Sequence, residues 1–444
     1  MTTETMGSAG AGGYNPKLLF LASCIALIAT AMSFAIRGDI MTAFENEFVR
    51  PHVSGASASG EAAAVDSAQE EDKLIKTRLG LIAGVAFFSF GLTIIFGGPL
   101  VDLLGMGFLM RVAAACHIGG TLLTIFAPNY WVIVLATLII GAGNGLVEAV
   151  CNPLIATIYP EEKTHKLTLF HAWFPGGIVI GGVLAYLFSR MELDWKMKMA
   201  LILIPSVVYV VMLIGQKFPA TERVAAGVPF GEMFSEALRR PLFWIVFLMM
   251  WLTAAAELGP GAWIANIYND IMGKEEGILA PEGILALVWG SILMYVLRQF
   301  FSKPAHRISP PALIALTAPF AAVGLFLFNY AKTPAMFFLA ATLLYFGVCF
   351  WWPTMLGMTS ERCPKTGALG LAIIGGTGSI STFFAGPIMG RLNDAFGPAR
   401  CLQIWSILPV VLVVVFGLVY LYDRSKGGYQ AEKIAAGDAA PSDG

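Results

Sequence analysis

The chain has 444 residues, of which 57% are hydrophobic and only 13% charged, with a mean hydropathy of +0.73. A water-soluble protein carries about a quarter charged residues, so this composition excludes an ordinary soluble domain and makes lipid the solvent for most of the chain. The net charge of -1 offers no basic face, and no nucleic-acid partner is expected.

Residues 1–16 (MTTETMGSAGAGGYNP) are a small polar tail without a basic n-region. The apolar run after them is too long for a cleavable signal peptide, so none is expected. A bilayer core takes about 20 apolar residues per helix. Twelve such runs follow, starting near Leu18, Leu79, Phe108, Trp131, Leu167, Met197, Leu242, Gly283, Pro311, Pro334, Gly367 and Cys401. The loop 45–76 (with SGASASGEAAAVDSAQEED) reads as a mobile or partly helical external insertion. The charged stretch 216–241 (QKFPATERVAAGVPFGEMFSEALRRP) separates a first six-helix bundle, 17–215, from a second, 242–422, and 423–444 is a tail. Lys163, Lys166, Arg239, Arg240, Arg298, Lys303 and Arg307 belong to a modest basic excess on the N-terminal side of the spans. That excess predicts both termini in the cytoplasm.

The halves echo each other. NPLIATIYPEEKTHKLTLFHAWFPGGIVIGG and WPTMLGMTSERCPKTGALGLAIIGGTG both run from a Pro-containing helix end through a basic Lys-Thr turn to a Gly-rich helix. Such repeats build two-bundle carriers with a ligand site at the repeat interface. Gly141 and Gly145, Gly177 and Gly181, and Gly386 and Gly390 are each four apart, a spacing for close helix approach. Pro175 and the Gly259-Pro260-Gly261 run are expected to bend or break their helices.

Three acids interrupt apolar spans: Asp39, Glu148 and Glu257. Arg37 is the one base assigned within a span. Asn144, Glu148, Cys151 and Asn152 share a helical face, which must point to a bundle interior or a cavity. A salt bridge from Glu148 to Arg37 is one reading of this charge. Three acids against one base also leave at least two carboxylates without a cationic partner, and such groups can load and release a proton. His171 is a further polar group facing this region, whereas His117 is read as a helix-packing hydrogen bond. Trp173, Trp263, Trp289, Trp351 and Trp352 supply indole faces near Asn144, Asn152, Asn266, Glu148 and Glu257, a combination suited to stacking and hydrogen-bonding a sugar. The cysteines (Cys24, Cys116, Cys151, Cys349, Cys363 and Cys401) have no metal-ligand spacing, so neither disulfides, a metal nor a cofactor is expected.

The loop GGPLVDLLGMGFLMR, with Gly98, Asp102 and Gly105, resembles the G-x-x-x-D-x-x-G gating loop of the major facilitator superfamily, although Leu103 stands where a basic residue is usual. EAVCNPLIATIYPEEKTHKLTLFHAWFPGG, Asp39-Ile40 and AAAELGPGAW are similar to the fucose–proton symporter family. That family's asparagines before the span-one aspartate are replaced here by Ala35, Ile36 and Arg37. The resemblance implies an all-α membrane protein of twelve helices in two pseudo-symmetric bundles. It implies that Asp39 is a proton-coupling carboxylate, that Glu148 links proton to sugar binding, and that His171 stands at a polar sugar contact.

These features predict a non-enzymatic, monomeric carrier in the cell (inner) membrane, with protons, a sugar and the lipid bilayer as its partners. Proton coupling falls to Asp39 and Glu148. Substrate binding falls to Arg37, Asn144, Asn152, His171, Glu257, Trp263, Asn266 and Trp352. The alternative is a proton-coupled carrier of a small organic anion or sugar acid held by Arg37.

Overall fold

A computed structural model describes residues 13–52, 61–272 and 284–434. Most of the tail 1–16, part of the loop 45–76 and the end of the tail 423–444 therefore lie outside the described residues, as do the side chains of Trp263 and Asn266. Among the described residues the chain is all helical, and eleven helices are long and apolar enough to cross a membrane. They are α1 (Pro16–Asp39), α2 (Glu70–Leu104), α3 (Met106–Ile125), α4 (Tyr130–Ile158), α5 (Lys163–Arg190), α6 (Trp195–Leu213), α7 (Pro241–Gly261), α9 (Pro310–Tyr330), α10 (Pro334–Arg362), α11 (Pro364–Phe396) and α12 (Pro398–Ser425). A shorter apolar helix, α8 (Leu285–Phe300), completes the twelve. This is a multi-pass integral membrane protein.

Local chemistry sets the ends of several helices. Asn15, Asn129 and Thr333 accept a backbone N–H of the first turn at α1, α4 and α10, satisfying donors that a helix start leaves open. Gly105 turns the chain from α2 into α3 at φ +82, a left-handed conformation that favours glycine. The helix of α2 begins at Glu61, so the end of the 45–76 insertion is helical.

Small residues bring the helices together. A Cβ on Gly145 would fall 2.6 Å from the Phe90 carbonyl of α2, and one on Gly177 would fall 2.7 Å from Ala31 of α1. Gly386 differs: a Cβ there would meet nothing within 4 Å, so it marks no close approach.

The prolines act unequally. α5 breaks at Ala172, between Lys163–His171 and Trp173–Arg190. This follows from Pro175, which has no N–H to give to the carbonyl of His171 four residues earlier. The expected break at Gly259-Pro260-Gly261 is absent: one helix runs Pro241–Met272 with Pro260 inside it. α10, for which no break was expected, is interrupted between Val348 and Trp351, where Pro353 withdraws the donor for Cys349.

The two halves meet along α2 and α11, and along α5 with α8 and α10. At the end of the bundle where the 216–241 linker lies, Gly98 of α2 packs directly on Ala372 of α11, and Gly357 of α10 packs on Thr164 of α5.

Candidate functional site

Glu148 of α4 is 3% exposed. One of its oxygens, Oε2, accepts from the Asn152 amide at 2.8 Å, and the Asn152 carbonyl in turn accepts from His171 Nε2 at 3.0 Å. His171 Nε2 itself lies 3.9 Å from Glu148 Oε2. Asn152 therefore bridges an acid on α4 and an imidazole on α5. No Lys or Arg partner reaches Glu148 among the described residues.

The other two intramembrane acids are paired, contrary to the expectation that at least two would lack a cation. Asp39 accepts from Lys198 Nζ at 2.6 Å, and that ammonium also contacts Ser189. Glu257 meets Arg298 at 3.2 Å. Arg298 was expected in an inner loop. It is instead buried at 3% exposure, with its Nε donating to the Cys349 carbonyl at 2.6 Å and Nη1 to the His171 carbonyl at 2.9 Å. Lys198 and Arg298 are thus buried bases on apolar helices, paired with acids, that the sequence reading missed. Both sit near the ends of apolar runs, and both reach inward on long stems.

Arg37 forms no salt bridge with Glu148. It is 7% exposed and makes no hydrogen bond or ion pair among the described residues, and its guanidinium lies over the Phe34 ring at 5.0 Å. A buried guanidinium without a counter-charge carries a desolvation cost that no acid offsets among the described residues.

Asn144 lies on the same face as Glu148, but both ends of its amide are already used. Its carbonyl accepts from His117 Nε2 at 2.9 Å, and its NH2 donates to Ser33 at 3.0 Å. Tyr209 contacts the other nitrogen of His117 at 3.2 Å, so these residues join α1, α3, α4 and α6.

On the second half, the buried polar atoms with no hydrogen-bond partner among the described residues include Glu257 Oε2, Tyr345 Oη, Trp352 Nε1 and Thr354 Oγ1. They come from α7 and α10 and combine an acceptor with donors. Trp173 of α5 stands edge-on to Tyr295 of α8 at 5.3 Å. Trp289 and Trp351 are engaged with Thr342 and Thr317. Tyr345 and Thr354 were absent from the sequence reading, because an isolated hydroxyl in an apolar run carries no periodic signal.

The loop residues have distinct physical roles. Gly98 permits the contact with α11 and Gly105 the turn. Asp102 accepts from Arg223 at 2.8 Å and 2.9 Å, and from Thr221 at 2.7 Å. The charge missing at Leu103 is thus supplied by the linker. Among the described residues no group of three or more His, Cys, Asp or Glu could hold a metal ion, and the six cysteines are free thiols.

Two six-helix halves around buried, unpartnered polar atoms define a membrane carrier. The model of the Major Facilitator Superfamily matches residues 18–385, and the chain belongs to that family. The chain is 26% identical over 129 residues to a D-xylose transporter of Levilactobacillus brevis, covering 29% of this chain and 26% of that protein. It is 26% identical over 272 residues to a gentisate transporter of Corynebacterium glutamicum, covering 58% and 60%. These alignments span less than two thirds of either relative. The fold is shared with the E. coli fucose:proton symporter (TM-score 0.70, 17% identity, 91% of this chain and 98% of that chain). It is shared as well with a proton:xylose symporter (TM-score 0.72, 13% identity, 91% and 95%). A human organic anion transporter has the same fold (TM-score 0.68, 11% identity, 90% and 99%).

Proposed function

We propose that this protein is a secondary active carrier of a monosaccharide, fucose-like or a related hexose, moved together with a proton by alternating access. In this reading it works as a monomer in the cell (inner) membrane with both termini cytoplasmic, and it catalyses no chemical conversion. One observation carries it: Glu148 is a buried carboxylate held by a neutral amide rather than by a cation. Protonating Asp39 would strand Lys198, and protonating Glu257 would strand Arg298, each leaving an uncompensated buried charge. Protonating Glu148 strands nothing. The main proton-carrying role therefore goes to Glu148, and Asp39 with Lys198 is a second, more exposed coupling point. Glu257 Oε2, Tyr345 Oη and Trp352 Nε1 offer the acceptor and donors that a polyhydroxylated ring needs. Similar proteins described as sugar–proton symporters and a D-xylose transporter support the same substrate class.

The test is uptake into proteoliposomes with an imposed pH gradient. Glu148→Gln is expected to abolish uphill accumulation of the sugar while counterflow exchange continues. Unchanged pH-driven accumulation in this variant would overturn the assignment.

A second reading has its own observation. Arg37 is buried without an anionic partner among the described residues, and the similar gentisate and organic anion transporters are carriers of anions. Here the substrate is a small organic anion or sugar acid. Thermal-shift measurements on wild type and Arg37→Gln separate the two, because a ligand raises stability only where it binds the folded state. Acidic ligands that stabilise wild type but not the variant favour the anion. Neutral sugars that stabilise both favour the sugar.

A further inference from the structure

Two helix interruptions in opposite halves share one cause and one remedy. Pro175 on α5 cannot donate to the His171 carbonyl, and Pro353 on α10 cannot donate to the Cys349 carbonyl. A buried carbonyl left without a donor is costly, so each requires a substitute. The same side chain supplies both. Arg298 of α8 donates from Nη1 to His171 at 2.9 Å and from Nε to Cys349 at 2.6 Å, and its Nη2 faces Glu257 at 3.2 Å. The planar guanidinium spends its fork on three acceptors that a lysine ammonium cannot span in one plane. Two of these, Cys349 and Glu257, belong to the same half as Arg298. The third, His171, belongs to the other half, and its imidazole is the group tied through Asn152 to Glu148.

We propose that Arg298 is a positioning residue that latches the two halves: its bond to the proline-vacated carbonyl of His171 is made in the arrangement seen here and released when the halves rock apart. The inference rests on the alternating-access part of the proposed function, but not on the identity of the substrate. The contacts within its own half, to Cys349 and Glu257, persist through the movement and keep the guanidinium aimed at α5. Because His171 also holds the Asn152–Glu148 chain, the latch connects the second half, through His171 and Asn152, to the acid of the first.

A native thiol reports on the seam. Cys363 is 2% exposed at the linker end, where it shares a small crevice with Ala156 and Thr157 of α4 and with Arg223 of the linker. Its maleimide alkylation, followed by peptide mass spectrometry at fixed pH and without substrate, reads how often that end opens. Three variants decide the question. Arg298→Lys keeps the charge opposite Glu257 but loses the fork. Pro175→Ala restores a backbone donor to His171 and frees its carbonyl from Arg298. Pro353→Ala does the same for Cys349, within one half. Arg298→Lys and Pro175→Ala are expected to speed alkylation about tenfold, as for loss of one charge-assisted hydrogen bond, while Pro353→Ala leaves it at the wild-type rate. A purely structural role would make the two proline variants behave alike. Equal rates in Pro175→Ala and Pro353→Ala, or wild-type rates in Arg298→Lys and Pro175→Ala, overturn the latch. A failure of sugar uptake in the transport assay leaves these rates readable, so the two ideas fall separately.

Discussion

Glu257 and Arg298 face each other at 7% and 3% exposure, where removing one partner leaves the other as a buried, uncompensated charge. Such a loss costs about 3–5 kcal/mol. Arg298→Met is therefore expected to lower the melting temperature in detergent sharply, and Glu257→Gln added to it is expected to recover part of the loss. Recovery stays partial because the His171 and Cys349 carbonyls remain without their donor. Full additivity of the two substitutions would show that the pair is not coupled. At this scale the sequence was informative about acids and poor about their partners. Asp39, Glu148 and Glu257 each stand out as a charge in an apolar run. Arg298 and Lys198 do not, since each lies near the end of a run, where a basic residue ordinarily belongs to a loop. Nor does a linear reading bring together residues 159 positions apart, as Asp39 and Lys198 are. The stripe on α4 was legible from its spacing, but that spacing did not show that Asn144 is already spent on His117 and Ser33.

The same proline chemistry has different outcomes in different helices. Pro99, Pro153, Pro260, Pro319 and Pro387 sit inside helices that continue past them, whereas the spans carrying Pro175, Pro205, Pro353 and Pro409 are interrupted three or four residues before the proline. Neighbouring groups in a membrane bundle can take over a freed carbonyl. Where Arg298 does so from the side, the local helix need not close again. The break in α5 was legible from Pro175, but nothing in the linear sequence told Pro205, Pro353 and Pro409, which follow breaks, from the prolines whose helices stay continuous. The glycine pairs show the same limit, since identical spacing gives close packing at Gly177 and open space at Gly386. Gly357→Ala tests this scale. A methyl group there would collide with Thr164 across the seam, and overpacking of this kind costs about 1–3 kcal/mol. The variant is expected to hold α10 and α5 apart and to raise Cys363 alkylation several-fold, while Gly386→Ala, which meets nothing within 4 Å, matches wild type. Equal rates in the two would dissociate glycine packing from closure of the seam.

Across the whole molecule, the linker end is drawn together by polar contacts from segments far apart in sequence. Asp102 meets Arg223 at 2.8 Å, and Lys163 meets Glu222 at 2.6 Å. Glu361 of α10 accepts from Thr164 of α5 and from Tyr429, which lies beyond α12, and Glu432 meets Arg240 at 2.7 Å. His306, between α8 and α9, joins this set by contacting Thr168 of α5 at 3.1 Å and standing edge-on to His165 at 5.6 Å. Burial, and then the neighbouring His165, push the His306 imidazole down to about 4. An unfolded histidine titrates near 6.5. Between those values the unfolded chain binds the extra proton, so the contribution of neutral His306 is complete above about pH 6.5 and is lost as pH falls towards 4. The other charges facing this pair are Lys166 and Glu162 of the α5 side and Lys303 of the α8–α9 turn. In melting curves taken from pH 7 to 4, wild type is expected to lose stability more steeply than His306→Gln, which cannot acquire the charge. Parallel curves would show that His306 does not contribute to the acid sensitivity of this end.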